Sequence, residues 1–444
     1  AGMAHTLPRK GSKRVVFLHP DLGIGGAEKL IVEAAYALKE KGHSVTVCTS
    51  HYDPKRCFEK TKEMDIYVAG DWLPRSLFGK LHILFALLRA VWLSICVVWS
   101  QKADVYITDQ IAVYNGCLRL LCYTPIVFYC HFPDQLLSKR QSIIKKIYRI
   151  PFDLVEEITT GLADIVLVNS KFTGRIFRKT FRMLHHINLQ ILYPAVSLPP
   201  LEAVKKYKKE GSVISFLSIN RYERKKNIAL AIHAFAAFLK LLAEKKLSSE
   251  AKKNKDVKLI IAGGCDAKVR ENIEYYEELN DLAYNHYNIP KYNLQFLRSF
   301  DDSEKENLIG SASCVLYTPE GEHFGIVPIE AMAHQTLVIA LASGGPKESV
   351  VDNKTGFLCD KIPPDPNQWA SRMMQVYSQP SRAAEMGRNG RRRVECVFSF
   401  SAFRDKFHEA VSTAGASDAV YRTLFVRAWM AGFCVLIIGL AMFI

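Results

Sequence analysis

Ser313-Cys314-Val315-Leu316-Tyr317-Thr318-Pro319-Glu320-Gly321-Glu322-His323-Phe324-Gly325-Ile326-Val327-Pro328-Ile329-Glu330 reads as an apolar strand, a polar loop and the first turns of a helix. A strand that enters a helix through a glycine is the unit from which parallel sheets are built, so the stretch points to an α/β fold. It also sets two carboxylates, Glu322 and Glu330, eight residues apart across Gly325. A helix start with free backbone N–H groups beside a glycine suits a diphosphate. Glu330 can accept from ribose hydroxyls and Glu322 can reach toward a sugar. Two glutamates alone fit a solvated surface equally well, and the rest of the chain has to decide.

About a hundred residues upstream, the apolar run Val213 to Ile219 is followed by Asn220-Arg221-Tyr222-Glu223-Arg224-Lys225-Lys226-Asn227 and an alanine-rich helix. Such a loop can be a solvated basic turn. No two aspartates stand two apart, so the chain lacks an Asp-x-Asp that could hold a divalent ion against a nucleotide diphosphate. Arg221 and Lys226 can neutralise a leaving diphosphate instead, Arg through a bidentate fork and Lys as a point charge. No metal and no cofactor are expected.

Strands alternate with helices in two blocks. Val15 to Leu18, Val45 to Thr49, Val105 to Thr108, Ile126 to Cys130 and Ile165 to Val168 form the first. Val213 to Ile219, Val257 to Ala262, Leu294 to Leu297, Ser313 to Tyr317 and Leu337 to Ala340 form the second. The expected organisation is a Rossmann-like N-terminal domain over 1–195, a linker over 196–212 with Pro199-Pro200 and a run of lysines, and a Rossmann-like C-terminal domain over 213–395. A C-terminal helix over 396–423 and a hydrophobic segment over 424–444 follow. Ligands of such sheets bind outside the carboxyl ends of the strands, where all the motifs above sit. The loop Gly23-Ile24-Gly25-Gly26 leads into a helix in the same way, but it lacks the third spaced glycine of a dinucleotide fingerprint.

Arg221, Lys226 and the Glu322/Glu330 pair together resemble the donor site of glycosyltransferase family 4, which has the GT-B fold of two Rossmann-like domains facing across a cleft. The blocks His19 to Glu28, His51 to Pro54, Gly70 to Arg75, Tyr129 to Asp134 and Asn220 to Asn227 are similar to those of the eukaryotic dolichol-pathway α-1,3/1,6-mannosyltransferases. The resemblance implies GDP-mannose as donor and a dolichyl-pyrophosphate-linked Man-GlcNAc-GlcNAc as acceptor, with an α-1,3 and then an α-1,6 addition and retention of configuration. It implies donor contacts from Gly25, Gly26, Arg221, Lys226, Glu322, Phe324, Gly325, Ile326 and Glu330. His131, which otherwise reads as a structural histidine after a strand, would face the donor sugar. Catalytic roles fall to Glu322, His131, Arg221 and Lys226, and association with other early transferases of the pathway is expected. Two other readings stay open: a family 4 transferase acting on a later dolichol-linked or inositol lipid, and a membrane scaffold that has lost catalysis.

The net charge of +15 is not accompanied by any nucleic-acid-binding motif, so an anionic membrane surface and a diphosphate substrate are its expected partners. Leu81 to Trp99 is apolar apart from His82, Arg89 and Ser94, and suits an interfacial helix or a buried core helix. Lys139-Arg140, Lys145-Lys146 and Arg149 flank Ile143, Ile144, Ile147 and Tyr148, which suits either a headgroup-binding helix or a core helix with a charged outer face. Ala428 to Ile444 carries no charge and follows Arg422 and Arg427, an arrangement expected of a short anchor with the catalytic body in the cytosol, at the endoplasmic reticulum membrane. Eleven cysteines without Cys-x2-Cys pairs suit reduced thiols.

Overall fold

The computed structural model describes residues 11–77, 81–137, 143–209, 213–247, 257–415, 419–420, 422–424 and 427. The chain divides into two compact units, one built from the residues up to Ala195 together with those from Phe403 on, the other from Val196–Ala402.

The first unit holds strands β1 (Arg14–His19), β2 (Ser44–Thr49), β3 (Asp65–Val68), β4 (Val105–Asp109), β5 (Ile126–Cys130), β6 (Ile165–Val168) and β7 (Leu189–Ile191). They form one parallel sheet in the order β3-β2-β1-β4-β5-β6-β7. Every residue of β4 and β5 is buried, as continuous apolar runs covered on both faces require. The second unit holds β8 (Ile214–Ile219), β9 (Val257–Gly263), β10 (Leu294–Arg298), β11 (Cys314–Tyr317), β12 (Leu337–Leu341) and β13 (Gly356–Cys359), parallel in the order β10-β9-β8-β11-β12-β13. Each sheet reverses its strand order once, between β1 and β4 and between β8 and β11. Ligands of doubly wound sheets collect at such switch points, outside the carboxyl ends of the strands.

Three strands went unrecognised in the sequence: β3, β7 and β13. All three are edge strands. β3 and β7 are short and only partly buried, so the apolar signal that marks a central strand is diluted in them.

The segment expected as a linker over 196–212 is part of the second unit and carries the helix Leu201–Lys209. Its Val204 is buried, and the Nζ of Lys208 donates to Ala312 O and Thr336 Oγ1, both at 2.8 Å. Burial pulls the Lys208 ammonium down to about 8. The lysines that suggested a solvated connection include one whose charge is spent on the fold. At the other end, the helix Phe400–Thr413 packs on the first unit from Phe403 onward. Phe407 lies 6.4 Å from Phe17, Lys13 Nζ donates to Val411 O at 2.9 Å, and His43 Nε2 sits 3.0 Å from His408 Nδ1.

The apolar run expected near Leu81 is the helix His82–Ser100. Among the described residues it is the one helix long and apolar enough to cross a membrane. It presents two faces. Ala90, Leu93 and Val97 are buried, and Arg89 turns inward to donate to Ser50 O at 2.9 Å, while Leu84, Leu88, Trp92 and Trp99 are exposed. The helix Ile143–Gly161 likewise exposes Ile143, Ile147, Ile150, Leu154 and Ile158 along one stripe, so it is not a core helix with a charged outer face. Lys139, Arg140 and the segment 428–444 lie outside the described residues.

Candidate active site

In the second unit, Gly325 caps the helix Ile326–Ala333 at φ 75°, a left-handed value that a side chain resists. A Cβ there would also meet Tyr317 at 3.3 Å. Gly344 and Gly345 press on the same loop. The N–H of Gly345 donates to Glu322 O at 2.8 Å, and Cβ atoms on the two glycines would fall 2.2 Å from Glu322 O and 2.0 Å from Phe324 O. The backbone of Glu322 to Phe324 is therefore fixed by close contact with glycine. Phe324 is buried, with its ring 6.0 Å from that of Phe398, so its side chain serves packing. Ile326 is the first residue of the helix and Glu330 the fifth.

Both carboxylates are engaged. Glu322 forms an ion pair with Lys226, whose side chain is 14% exposed. The pair is held from below by Thr318, which donates from Oγ1 to Lys226 O at 2.8 Å and so ties the end of β11 to the basic loop. Glu330 Oε1 accepts from Lys305 Nζ at 2.6 Å, and its Oε2 is buried without a hydrogen-bond partner. Buried polar atoms are normally satisfied, so this oxygen marks a place where a donor belongs. Burial and the two glutamates push the Tyr317 phenol well above its usual range, which keeps it neutral beneath the site. Arg221, by contrast, is 65% exposed and pairs with Glu223 at 2.9 Å. It is free to swing toward an anion. Tyr222, buried beside it, fixes the loop by donating to Leu297 O at 3.0 Å.

In the first unit, the loop after β1 opens the helix Gly26–Glu40 with Gly25 as its N-cap and no side-chain cap. A Cβ on Gly25 would fall 2.2 Å from the Glu28 carboxylate, whereas Gly26 faces open space. The uncapped N–H groups suit an anion. Side-chain contacts tie Arg75 to this loop and join the segments around His51 and Trp72 to their own neighbours. Arg75 pairs with Asp21 at 2.8 Å, His51 with Asp71 at 2.9 Å, and Trp72 packs edge-on against Trp92 at 5.4 Å.

His131 follows β5, and its Nε2 lies 2.9 Å from Asp109 Oδ2; the other oxygen of Asp109 lies 2.7 Å from His19 Nδ1. His19 and Asp109 are fully buried and His131 is 24% exposed. Burial draws the His19 imidazole down, but the Asp109 carboxylate and, more weakly, Glu28 outweigh it and leave the group raised. Burial likewise pushes Asp109 up, and the two histidines bring it below the usual carboxylate range. Behind this row, Glu156 accepts from the N–H groups of Asp134 and Gln135 at 2.7 and 3.0 Å. Burial and the neighbouring Asp134 push Glu156 up to about 8, and burial pushes Asp134 up to about 6.

The sequence reading missed Asp109, His19 as a partner, and Lys305. Asp109 and His19 each end an apolar strand at its carboxyl edge, which was a usable signal. Lys305, 25 residues from Glu330, carried none. Among the described residues no group of three His, Cys, Asp or Glu side chains is arranged to hold a metal ion.

Residues 24–198 match the family described as Glycosyltransferase Family 4, and residues 201–393 match Glycosyl transferases group 1. The chain is 44% identical over 408 residues to the alpha-1,3/1,6-mannosyltransferase ALG2 of Homo sapiens, a match that spans 90% of this chain and 95% of that one. It is 39% identical over 443 residues to the protein of the same name from Saccharomyces cerevisiae, spanning 90% and 85%. Among solved structures, sucrose-phosphate synthase from Thermosynechococcus elongatus superposes with a TM-score of 0.68 at 20% identity, over 94% of this chain and all of that one. Anabaena HepE in complex with UDP superposes at 0.65 and 15% identity, over 90% of this chain. These likenesses of structure speak for the fold.

Proposed function

From the premise that the chain belongs to the alpha-1,3/1,6-mannosyltransferase family of glycosyltransferases, we propose that it transfers mannose from GDP-mannose to the dolichyl-pyrophosphate-linked Man-GlcNAc-GlcNAc intermediate. An α-1,3 mannose is added first and an α-1,6 mannose second. The observation that carries the donor assignment is the pairing at the start of the helix Ile326–Ala333: a lysine held by one glutamate and, one turn in, a second glutamate with an unsatisfied buried oxygen. Glu330 Oε2 takes a ribose hydroxyl. Lys226 and Arg221 neutralise the diphosphate, and Glu322 and His131 orient mannose.

Retention without a carboxylate placed as nucleophile suits displacement on one face of the sugar. The bond from C1 to the phosphate oxygen breaks and its electron pair leaves with GDP. The acceptor hydroxyl forms the new bond to C1 on the same face and gives its proton to the departing phosphate. The protein supplies position and fixed charge. Neutralisation by Arg221 and Lys226 needs no metal, and turnover is expected to persist in excess chelator.

The acceptor lipid accounts for the exposed apolar side chains. Leu84, Leu88, Trp92 and Trp99 on one helix and the isoleucine stripe of Ile143–Gly161 fit the cytosolic face of the endoplasmic reticulum membrane, with 428–444 as anchor. The test is transfer from radiolabelled GDP-mannose to phytanyl- or dolichyl-pyrophosphate chitobiose bearing one β-mannose. The reading expects a gain of two hexoses, the first released by an α-1,3 and the second by an α-1,6 mannosidase. Transfer only to a longer mannosylated lipid or to an inositol lipid replaces the acceptor, and transfer to none removes the enzyme.

A further inference from the structure

His19, Asp109 and His131 stand side by side at the carboxyl ends of three neighbouring strands, β1, β4 and β5, at the point where the first sheet reverses its order. A carboxylate accepts hydrogen bonds and donates none, so each imidazole must turn an N–H toward Asp109. For His19 that nitrogen is Nδ1 and for His131 it is Nε2. In its neutral form His131 is thereby held as the tautomer whose Nδ1 carries a lone pair. Among the described residues this Nδ1 has no hydrogen-bond partner, and the ring is fixed edge-on against Tyr129 at 4.8 Å. The His131 carbonyl accepts from Asn169 Nδ2 at 2.9 Å, so the main chain is held as well.

We infer that Asp109 is a positioning residue: it locks the His131 ring so that Nδ1 is presented as a hydrogen-bond acceptor for one hydroxyl of the donor's mannosyl ring. The inference rests on the proposed role of His131 toward the donor and adds the atom, the direction of the hydrogen bond and the group that enforces it. An amide at position 109 shows why only a carboxylate serves. Asn offers one accepting oxygen and one donating NH2. His19, fully buried with its Nδ1 against position 109, keeps its N–H on the oxygen. His131 then faces an N–H donor, must turn a lone pair to it, and moves its own proton to Nδ1. The acceptor becomes a donor with almost no change in shape.

Three measurements on the full chain test this. In protein labelled with 15N-histidine, the signal assigned to His131 by its loss in His131→Gln is expected to show a protonated Nε2 and a bare Nδ1 in the active enzyme; the reverse tautomer, or a ring protonated on both nitrogens, overturns the inference. With GDP-mannose donors lacking single hydroxyls, one deletion should cost the parent about tenfold, the range of one lost hydrogen bond. That same deletion should cost His131→Ala nothing further. If every deletion costs both proteins alike, Nδ1 binds no hydroxyl. Asp109→Asn is expected to lose on the order of 10- to 100-fold in kcat/KM, as carboxylates that orient metal-bound histidines do. Parent activity in Asp109→Asn overturns the positioning role. Should that variant not fold, the tautomer and the deoxy donors decide alone. If His131→Ala itself transfers at the parent rate, the donor-site reading of His131 has failed; if it is inactive while Asp109→Asn is not, only the inference about Asp109 has.

Discussion

The carboxyl edges of the two sheets use charge in opposite ways. At the edge of the first sheet, Asp109 is fully buried between His19, also fully buried, and His131, which alone of the three reaches solvent. At the edge of the second, Lys226 pairs with Glu322, Lys305 with Glu330 and Arg221 with Glu223, all with side chains partly exposed. A buried ion pair that loses one member leaves an uncompensated charge, whereas a partly solvated pair can open at little cost. The first edge is built to hold a geometry; on the proposed function, the second trades a carboxylate for the donor's phosphate. The trade is what an enzyme that binds and releases a diphosphate at every turnover requires.

The comparison breaks most readily at Asp109. Asp109→Ala leaves the fully buried His19 N–H without its acceptor and is expected to cost about 1–3 kcal/mol of stability. Denaturant unfolding of the variant should show it, with Glu322→Gln as the contrasting case at no more than about 1 kcal/mol. Equal losses at the two positions would erase the distinction between the edges.

The counterpart is Lys226→Ala, where the effect should fall on chemistry. If Lys226 stabilises the departing diphosphate as proposed, its removal is expected to lower kcat/KM by about 10²- to 10³-fold. The unfolding midpoint should barely move. A midpoint that drops with activity would show the Lys226 pair to be structural, like the row in the first unit.

The pair Asp134 and Glu156 sharpens the contrast through pH. Both carboxyl groups are raised in the folded chain, to about 6 and about 8, above the 3.8 and 4.5 of the free side chains. The folded form therefore holds its protons longer than the unfolded one. Their contribution to stability is complete below the unfolded values and is lost as pH rises through about 6 and then about 8. Thermal unfolding should fall across that interval in the parent and fall less in Glu156→Gln. A parent and variant with parallel profiles would remove Glu156 from the account.

The sequence made the central strands legible because both faces of each are buried and the apolar run is unbroken. β3 and β7 escaped because they are short and only partly buried, and β13 because only four residues form it. The proposed donor loop was legible for a different reason: Gly325, Glu322 and Glu330 are local in sequence, and Arg221 and Lys226 follow the neighbouring strand of the sheet. Pairings between distant segments were not. Asp109 lies 90 residues from His19 and 22 from His131, and its meaning depends on which strands become neighbours. The helix at Leu201–Lys209 was misread because a buried lysine looks the same in sequence as a solvated one.

Lys305 offers the finest cut. It lies on the helix Asp302–Ser311, and its contact with Glu330 Oε1 leaves Oε2 as the oxygen available to a ligand. In Lys305→Met the methylene stem still fills its place, but Glu330 is free to turn either oxygen outward. If Glu330 grips ribose equally in the ground and transition states, the loss is one of uniform binding and appears in KM for the donor with kcat unchanged. One hydrogen bond's worth of orientation, about 1 kcal/mol, gives roughly a fivefold rise. Steady-state kinetics in GDP-mannose resolves that. A fall in kcat at constant KM would instead put Glu330 among the groups that act only as the bond to phosphate breaks, and would make the second edge as rigid in its function as the first.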